Sequence, residues 1–146
     1  MRDYRIKNDT WPNILRKNAE TFGEKYIAMR RKHYGIWQSI SWKEYYRHVK
    51  YLSLGLLATG FEKGDRLAII GDSAPEWYFS EIAAQALRGI AVAIHPGLTT
   101  DELSYFIEDA QPRFIVVDGQ EQVDKVLELD PENVQALSVR GLVHAQ

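Results

Sequence analysis

Between Lys63 and Asp118 the hydrophobic rhythm of the chain changes four times within about 55 residues, and that alternation limits what it can fold into. Arg66-Leu-Ala-Ile-Ile-Gly is a short, nearly continuous apolar run after Lys-Gly-Asp, as a strand buried on both faces requires. Ser73-Ala-Pro-Glu supplies an N-cap, a first-turn proline and an early acid, and predicts a helix from Pro75 to about Arg88. Its apolar residues lie almost all round, so the helix should be buried. Gly89 breaks it, and Ile90-Ala-Val-Ala-Ile reads as the next strand. Thr99 or Thr100 can cap a further helix carrying Leu103, Phe106, Ile107 and Ala110, Pro112 stops it, and Arg113-Phe-Ile-Val-Val-Asp is a third strand. Strand, helix, strand, helix, strand implies two right-handed crossovers and a parallel sheet. The fold class is therefore α/β.

Upstream the patterns are different. Thr10 can N-cap a first helix with Trp11, Ile14, Leu15 and Ala19, Pro12 being tolerated in its first turn and Gly23 serving as its stop. Tyr26-Ile-Ala-Met-Arg and Ile36-Trp-Gln-Ser-Ile, separated by polar residues and Gly35, read as a β-hairpin. Ser41-Trp-Lys-Glu is a capping box with Glu44 three residues after the cap. The helix it opens shows Trp42, Tyr45, Val49, Leu52 and Leu56 at spacings of three and four, a single buried stripe, and Gly60 ends it.

Charge and composition exclude several functions. The net charge of −2 argues against a polycationic nucleic-acid binder, and no nucleic acid is expected as a partner. The charge is uneven, however: residues 1–50 hold 12 Lys/Arg against 5 Asp/Glu, and the remainder hold 6 against 15. Arg30-Arg31-Lys32-His33 offers contacts to phosphates, RNA or anionic lipid, although caps of a solvated hairpin explain them as well. The absence of cysteine rules out disulfides, thiolate metal sites and cysteine nucleophiles. The N-terminus MRDYRIKNDT has no apolar h-region, and the weakly polar stretch from Ile82 to His95 is broken by Gln85 and Arg88. A cytoplasmic location is expected, with peripheral membrane contact left open.

Open α/β sheets bind ligands beyond the carboxyl ends of their strands, so the loops after Ile70, Ile94 and Val117 are the places to search. Gly71-Asp72-Ser73-Ala74-Pro75 has the strand–turn–helix setting of a nucleophile elbow, but proline stands where the final glycine belongs, and N-capping accounts for Ser73. No two glycines lie closer than four residues, which excludes the dinucleotide fingerprint, and no Walker A loop can be written. His33, His48, His95 and His144 are scattered without metal-ligand spacing. Asp101-Glu102 and Glu108-Asp109 fit helix-terminal charge better than acid–base catalysis. No catalytic, cofactor-binding or metal residue is assigned.

The order of residues carries more. Lys63-Gly-Asp-Arg-Leu-Ala-Ile-Ile-Gly-Asp-Ser-Ala-Pro-Glu-Trp, followed by Ser80-Glu-Ile-Ala-Ala-Gln-Ala-Leu-Arg-Gly-Ile-Ala-Val, closely resembles the adenylate-forming (AMP-binding) ligases, the nearest group being the long-chain fatty acyl-CoA synthetases. The resemblance takes in Thr10-Trp-Pro, Gly35-Ile-Trp and Ser41-Trp-Lys-Glu-Tyr, and continues through His95-Pro, Leu103-Ser-Tyr-Phe-Ile and Gln120-Glu-Gln-Val-Asp-Lys-Val-Leu, over about residues 8–128. It implies a reaction in which a carboxylate attacks ATP to give an acyl-adenylate and coenzyme A then takes the acyl group, with magnesium accompanying the ATP and a fatty acid as substrate. The family's Ser/Thr/Gly-rich phosphate loop ending in Pro-Lys, its adenine-binding and Thr-Glu motifs, its ribose-binding aspartate and its C-terminal lysine domain are missing, so none of its catalytic positions carries over.

The expectation is a truncated N-terminal ligase domain over 1–128, inactive alone, followed by a different segment over 129–146. Leu127-Glu-Leu-Asp-Pro-Glu-Asn-Val-Gln-Ala-Leu, with Gly141, resembles the junction of two tetratricopeptide repeats, which implies a C-terminal helix begun at Asp130-Pro131. The alternative function is a non-catalytic interaction module built from the α/β unit and this tail. An incomplete parallel sheet should also expose an edge through which the chain self-associates.

Overall fold

In the computed structural model, which describes residues 9–129 and the backbone of residues 135–138, helix α1 (Trp11–Phe22) comes first. Thr10 is its N-cap, but through the backbone alone: the Ile14 N–H donates to the Thr10 carbonyl at 2.9 Å, and the threonine side chain makes no cap hydrogen bond. Strands β1 (Ile27–His33) and β2 (Ile36–Ser41) pair antiparallel across a two-residue turn in which Tyr34 and Gly35 both have positive φ, 48° and 78°. That is the turn whose twist matches the flanking strands. Arg30–His33 thus form the end of β1 rather than the turn itself.

Ser41 then opens α2 (Trp42–Ala58) with the expected reciprocal bonds. The Glu44 N–H donates to the Ser41 hydroxyl at 3.2 Å, and the Ser41 N–H donates to the Glu44 carboxylate at 2.8 Å. Its buried stripe is Tyr45, Val49, Ser53 and Leu56, with Trp42 and Leu52 half-buried beside it. The buried Ser53 hydroxyl donates back to the Val49 carbonyl, so the one polar residue in the stripe is satisfied within its own helix.

The remainder is a parallel sheet of β3 (Arg66–Ile70), β4 (Ile90–Ile94), β5 (Phe114–Val117) and β6 (Gln135–Ser138) in the order β4-β3-β5-β6, connected by α3 (Pro75–Ala86), α4 (Thr100–Ala110) and α5 (Gln120–Leu129). The two central strands are buried along nearly their whole length, and their side chains divide by the period of two. Leu67, Ile69, Phe114 and Val116 pack into one cluster with Leu15, Tyr45, Leu56, Phe79 and Ile82 of α1–α3. Ala68, Ile70, Ile115 and Val117 pack into another with Leu103, Ile107 and Val126 of α4 and α5. Two-sided burial is why β3 and β5 read as continuous apolar runs. β4 lies at the sheet margin, with Ile90 54% exposed.

Two expectations are corrected. Helix α3 is capped by Ala74, not Ser73, and without a side-chain bond. Pro75 forces its predecessor into extended backbone, so the boundary falls at Ala74 and leaves Ser73 one position outside. The second concerns the C-terminal segment: Gln135–Ser138 forms a strand, parallel to β5 with Phe114 opposite Gln135, where a helix was expected. An open β5 margin offers a row of unpaired N–H and C=O groups, and pairing them outweighs a weak local helical pattern. Leu127 and Leu129 belong to the crossover helix α5 that makes this pairing reachable. Asp130, Pro131, Gly141 and His144 lie outside the described residues.

Candidate functional site

The strand order reverses once: the chain moves from β3 to β4 on one side, then returns across β3 to β5 on the other. Doubly wound sheets open a crevice at such a switch point, beyond the carboxyl ends of the two strands that diverge there. A shallow cleft of only about 10 Å³ lies at that place, lined by Gly71, Asp72, Ala74, Glu76, Trp77 and Asp118 above the ends of β3 and β5.

Its walls follow from the local sequence. The Asp118 N–H donates to the Ile70 carbonyl at 2.9 Å, so the two strand ends leave the sheet together. A Cβ at Gly71 would stand 2.8 Å from Asp118 Cβ, so only glycine allows this approach. The Ala74 N–H donates to the Asp72 carbonyl at 2.7 Å, closing the tight turn that delivers the chain to α3. Glu76, in the first turn of α3, takes a bond of 2.7 Å from Arg31 Nη1 of β1. The hairpin is thereby tied to the crevice wall.

The sequence candidates separate accordingly. Ser73 is exposed, and no histidine among the described residues is placed against it: His48 stacks on Phe79 at 4.9 Å, His95 Nδ1 accepts from the Gly97 N–H at 3.0 Å, and His33 meets the Tyr34 ring at 4.2 Å. The Glu102 carboxylate closes a capping box on Thr99, whose N–H donates to it and holds its pKa below the usual value. Glu108 accepts from Ser104 on the same helix. Both acidic pairs therefore begin or flank α4 rather than forming an acid–base couple. The loop after Ile94 is pinned from α5, where Gln122 donates to the Pro96 carbonyl at 3.1 Å and Lys125 to the Leu98 carbonyl at 3.0 Å. Of the three loops expected to hold a site, the structure brings together those after β3 and β5. Reading Glu76, Trp77 and Asp118 as one wall required the strand order, and nothing in their local sequence announces it.

ATP and coenzyme A do not fit this crevice. The surface that faces the cleft is apolar and offers a polyphosphate no donor, and Arg31, the guanidinium that reaches the wall, is already engaged by Glu76. A volume of about 10 Å³ holds roughly one water molecule, far below the usual ligand-pocket range of about 300–1,000 Å³. No group of three or more His, Asp or Glu side chains with metal-binding geometry occurs among the described residues.

A four-stranded parallel sheet covered by helices on both faces, with its crevice at the strand-order reversal, defines a doubly wound α/β protein. Comparison with known proteins specifies the kind. The chain belongs to the AMP-binding enzyme family, whose profile matches residues 15–144. It is 31% identical over 121 residues to the long-chain-fatty-acid–CoA ligase ACSBG1 of Bos taurus, covering 81% of this chain and 17% of that protein. Against ACSBG1 of Homo sapiens it is 30% identical over 103 residues, covering 70% of this chain and 14% of that one. The chain thus spans less than a fifth of the length of the curated relatives it matches. Among solved structures, a putative long-chain-fatty-acid CoA ligase from Rhodopseudomonas palustris superposes with a TM-score of 0.78 at 23% identity, over 90% of this chain and 33% of that one. The Klebsiella oxytoca NpsA N-terminal subdomain gives 0.74 at 19% identity, over 92% and 32%. At these identities the two structures establish the fold.

Proposed function

We infer that this chain is one structural piece of a long-chain fatty acid–CoA ligase. The complete protein would join a fatty acid to ATP as an acyl-adenylate and then transfer the acyl group to coenzyme A. The family match across residues 15–144, together with relatives named as long-chain-fatty-acid–CoA ligases, carries this reading. Residues 1–146 contribute scaffold and no reacting group. The phosphate loop is absent from the sequence and the crevice is too small for a nucleotide, so fatty acid, ATP, magnesium and coenzyme A are partners of the complete protein. Its place of action on this reading is the cytoplasm.

The decisive experiment has two arms. In the first, the purified 146-residue chain is assayed for fatty-acid-dependent ATP–pyrophosphate exchange and for acyl-CoA formation; no turnover above the blank is expected, and measurable turnover overturns the assignment of a scaffold role. In the second, residues 15–144 replace the matching segment of bovine ACSBG1. The chimera should form acyl-CoA, and a well-folded chimera without pyrophosphate exchange would sink the ligase reading.

Self-association through the outer edge of β4 belongs to the same proposal. That edge has no partner strand among the described residues. Sedimentation should show concentration-dependent dimers that an Ala93→Pro substitution on the margin strand abolishes; a monomer at all concentrations removes the proposal.

A further inference from the structure

The tip of the β1–β2 hairpin combines three features that the packing of the fold does not use. Tyr34, Ile36 and Trp37 are 92%, 69% and 65% exposed, an unusual concentration of large apolar side chains on one protruding turn. Tyr34 also holds a φ of 48° in a turn position that normally selects asparagine, aspartate or glycine. Backbone energy is thus spent to place a ring in solvent beside the His33 ring.

The second feature is charge. From Lys25 to Lys43 the sequence holds five Lys/Arg and no acid. Arg31 is engaged by Glu76 and Lys43 by Glu24, but Arg30 and Lys32 are exposed and make no ion pair or hydrogen bond among the described residues. The third is register. Lys32 stands directly opposite Trp37, and Arg30 opposite Ser39, so these four share one face of the ribbon, while Arg31 turns to the other face and to α3.

We propose that this hairpin tip docks the protein onto anionic phospholipid bilayers, with Tyr34 and Trp37 entering the headgroup–acyl boundary, Ile36 joining them from the opposite face of the ribbon, and Arg30 and Lys32 meeting lipid phosphates. Tryptophan and tyrosine beside an aliphatic residue are interfacial chemistry, and cations around them supply attraction to an anionic leaflet. A convex tip suits a flat charged sheet. Single-stranded RNA, the other polyanion, is held in grooves by successive stacking rings, and Ile36 has no face to offer a base. Arg31–Glu76 and the Trp42 N–H, which donates to the Tyr26 carbonyl, tie the base of the hairpin to the domain, so the tip is presented rigidly.

The test measures partition of the full 146-residue chain into vesicles of phosphatidylcholine alone and with about 30% phosphatidylserine, at about 0.1 and 0.5 M salt. Binding should require phosphatidylserine and weaken with salt. Each cation near the surface is worth about a fivefold change, so R30Q/K32Q should weaken partition about 25-fold. Y34N and W37S, which leave the charge unchanged, should each weaken it at least about threefold. Circular dichroism of all three variants should match the parent chain and none should melt below it, Y34N melting higher because asparagine suits the positive φ of that turn position; a variant that fails this check is replaced by the chemically gentler R30K/K32Q, Y34H or W37Q. Equal binding to neutral and anionic vesicles, variants that partition like the parent, preferential binding of a short RNA that displaces the protein from vesicles, or a dimer dissolved by W37S would each overturn the proposal. None of these readouts involves ATP or coenzyme A, so the result stands apart from the fate of the ligase reading.

Discussion

Arg31 Nη1 lies 2.7 Å from Glu76 Oε1, joining residues 45 positions apart and fastening the hairpin to the first turn of α3. Both side chains are about one-third exposed, so the pair sits in high dielectric and its coupling should be modest, about 0.5–1 kcal/mol. A double-mutant cycle of R31Q and E76Q, read by urea denaturation at low and high salt, should give that coupling and lose most of it at high salt. A coupling unchanged by salt would contradict an electrostatic origin.

Gly89 has a stricter role than breaking a helix. A Cβ there would stand 2.4 Å from Phe61 Cζ and 2.8 Å from the Asp65 carbonyl oxygen, and the Phe61 ring is itself buried against Phe114 at 5.1 Å. Neither obstacle is a flexible chain end. G89A should lower stability by about 1–3 kcal/mol, measured as a fall in the denaturation midpoint. F61L in the same background should relieve part of the loss.

The two capping boxes make an acid-dependent pair. At Glu44, the Ser41 N–H and then the Ser41 hydroxyl hold the carboxylate pKa below its ordinary 4.5. A depressed carboxylate stabilises the fold above its unfolded pKa and loses that contribution as pH falls through the folded value. Stability should therefore decline below about pH 4.5, S41A should cost about 1 kcal/mol at neutral pH, and E44Q, which removes the titrating group that both Ser41 donors hold, should flatten the acid limb. An acid limb as steep in E44Q as in the parent chain would show that the loss comes from elsewhere.

At the alkaline end the corresponding group is Tyr45. Burial, followed by the nearby Glu81 carboxylate, pushes its phenol up from 10.0 to about 12. A raised folded pKa means that the contribution is complete below the unfolded value and is lost as pH climbs through the folded one. Unfolding free energy should fall between pH 10.0 and about 12, and Y45F should remove that component of the fall. A Y45F chain with an unaltered alkaline limb would rule out this phenol as its source.

Most elements were readable because their signals are local. Ser41-Trp-Lys-Glu encodes its own capping box, the stripe through Tyr45, Val49 and Leu56 has the helical period, and Pro112 follows α4 closely. Where local signals competed, the reading slipped. Ser73 is a better capping residue than Ala74, yet the steric demand of Pro75 sets the boundary one residue later. The stretch around Leu127–Leu137 carries a helix-repeat pattern, yet Gln135–Ser138 completes the ladder on β5.

By itself the sequence determined the α/β class, through apolar runs that mark two-sided burial, and it determined family membership, through motifs in a shared order. Strand order was decided only by the tertiary structure. Which margin a strand joins depends on hydrogen-bonding partners far away in the chain, and no local period records them. The order β4-β3-β5-β6 places Gly71 against Asp118 and creates the crevice. The hairpin's exposed face was likewise hidden in the sequence: Arg30–His33 were legible as charge, but only pairing register shows that Arg31 turns inward to Glu76 while Arg30, Lys32 and Trp37 face solvent together.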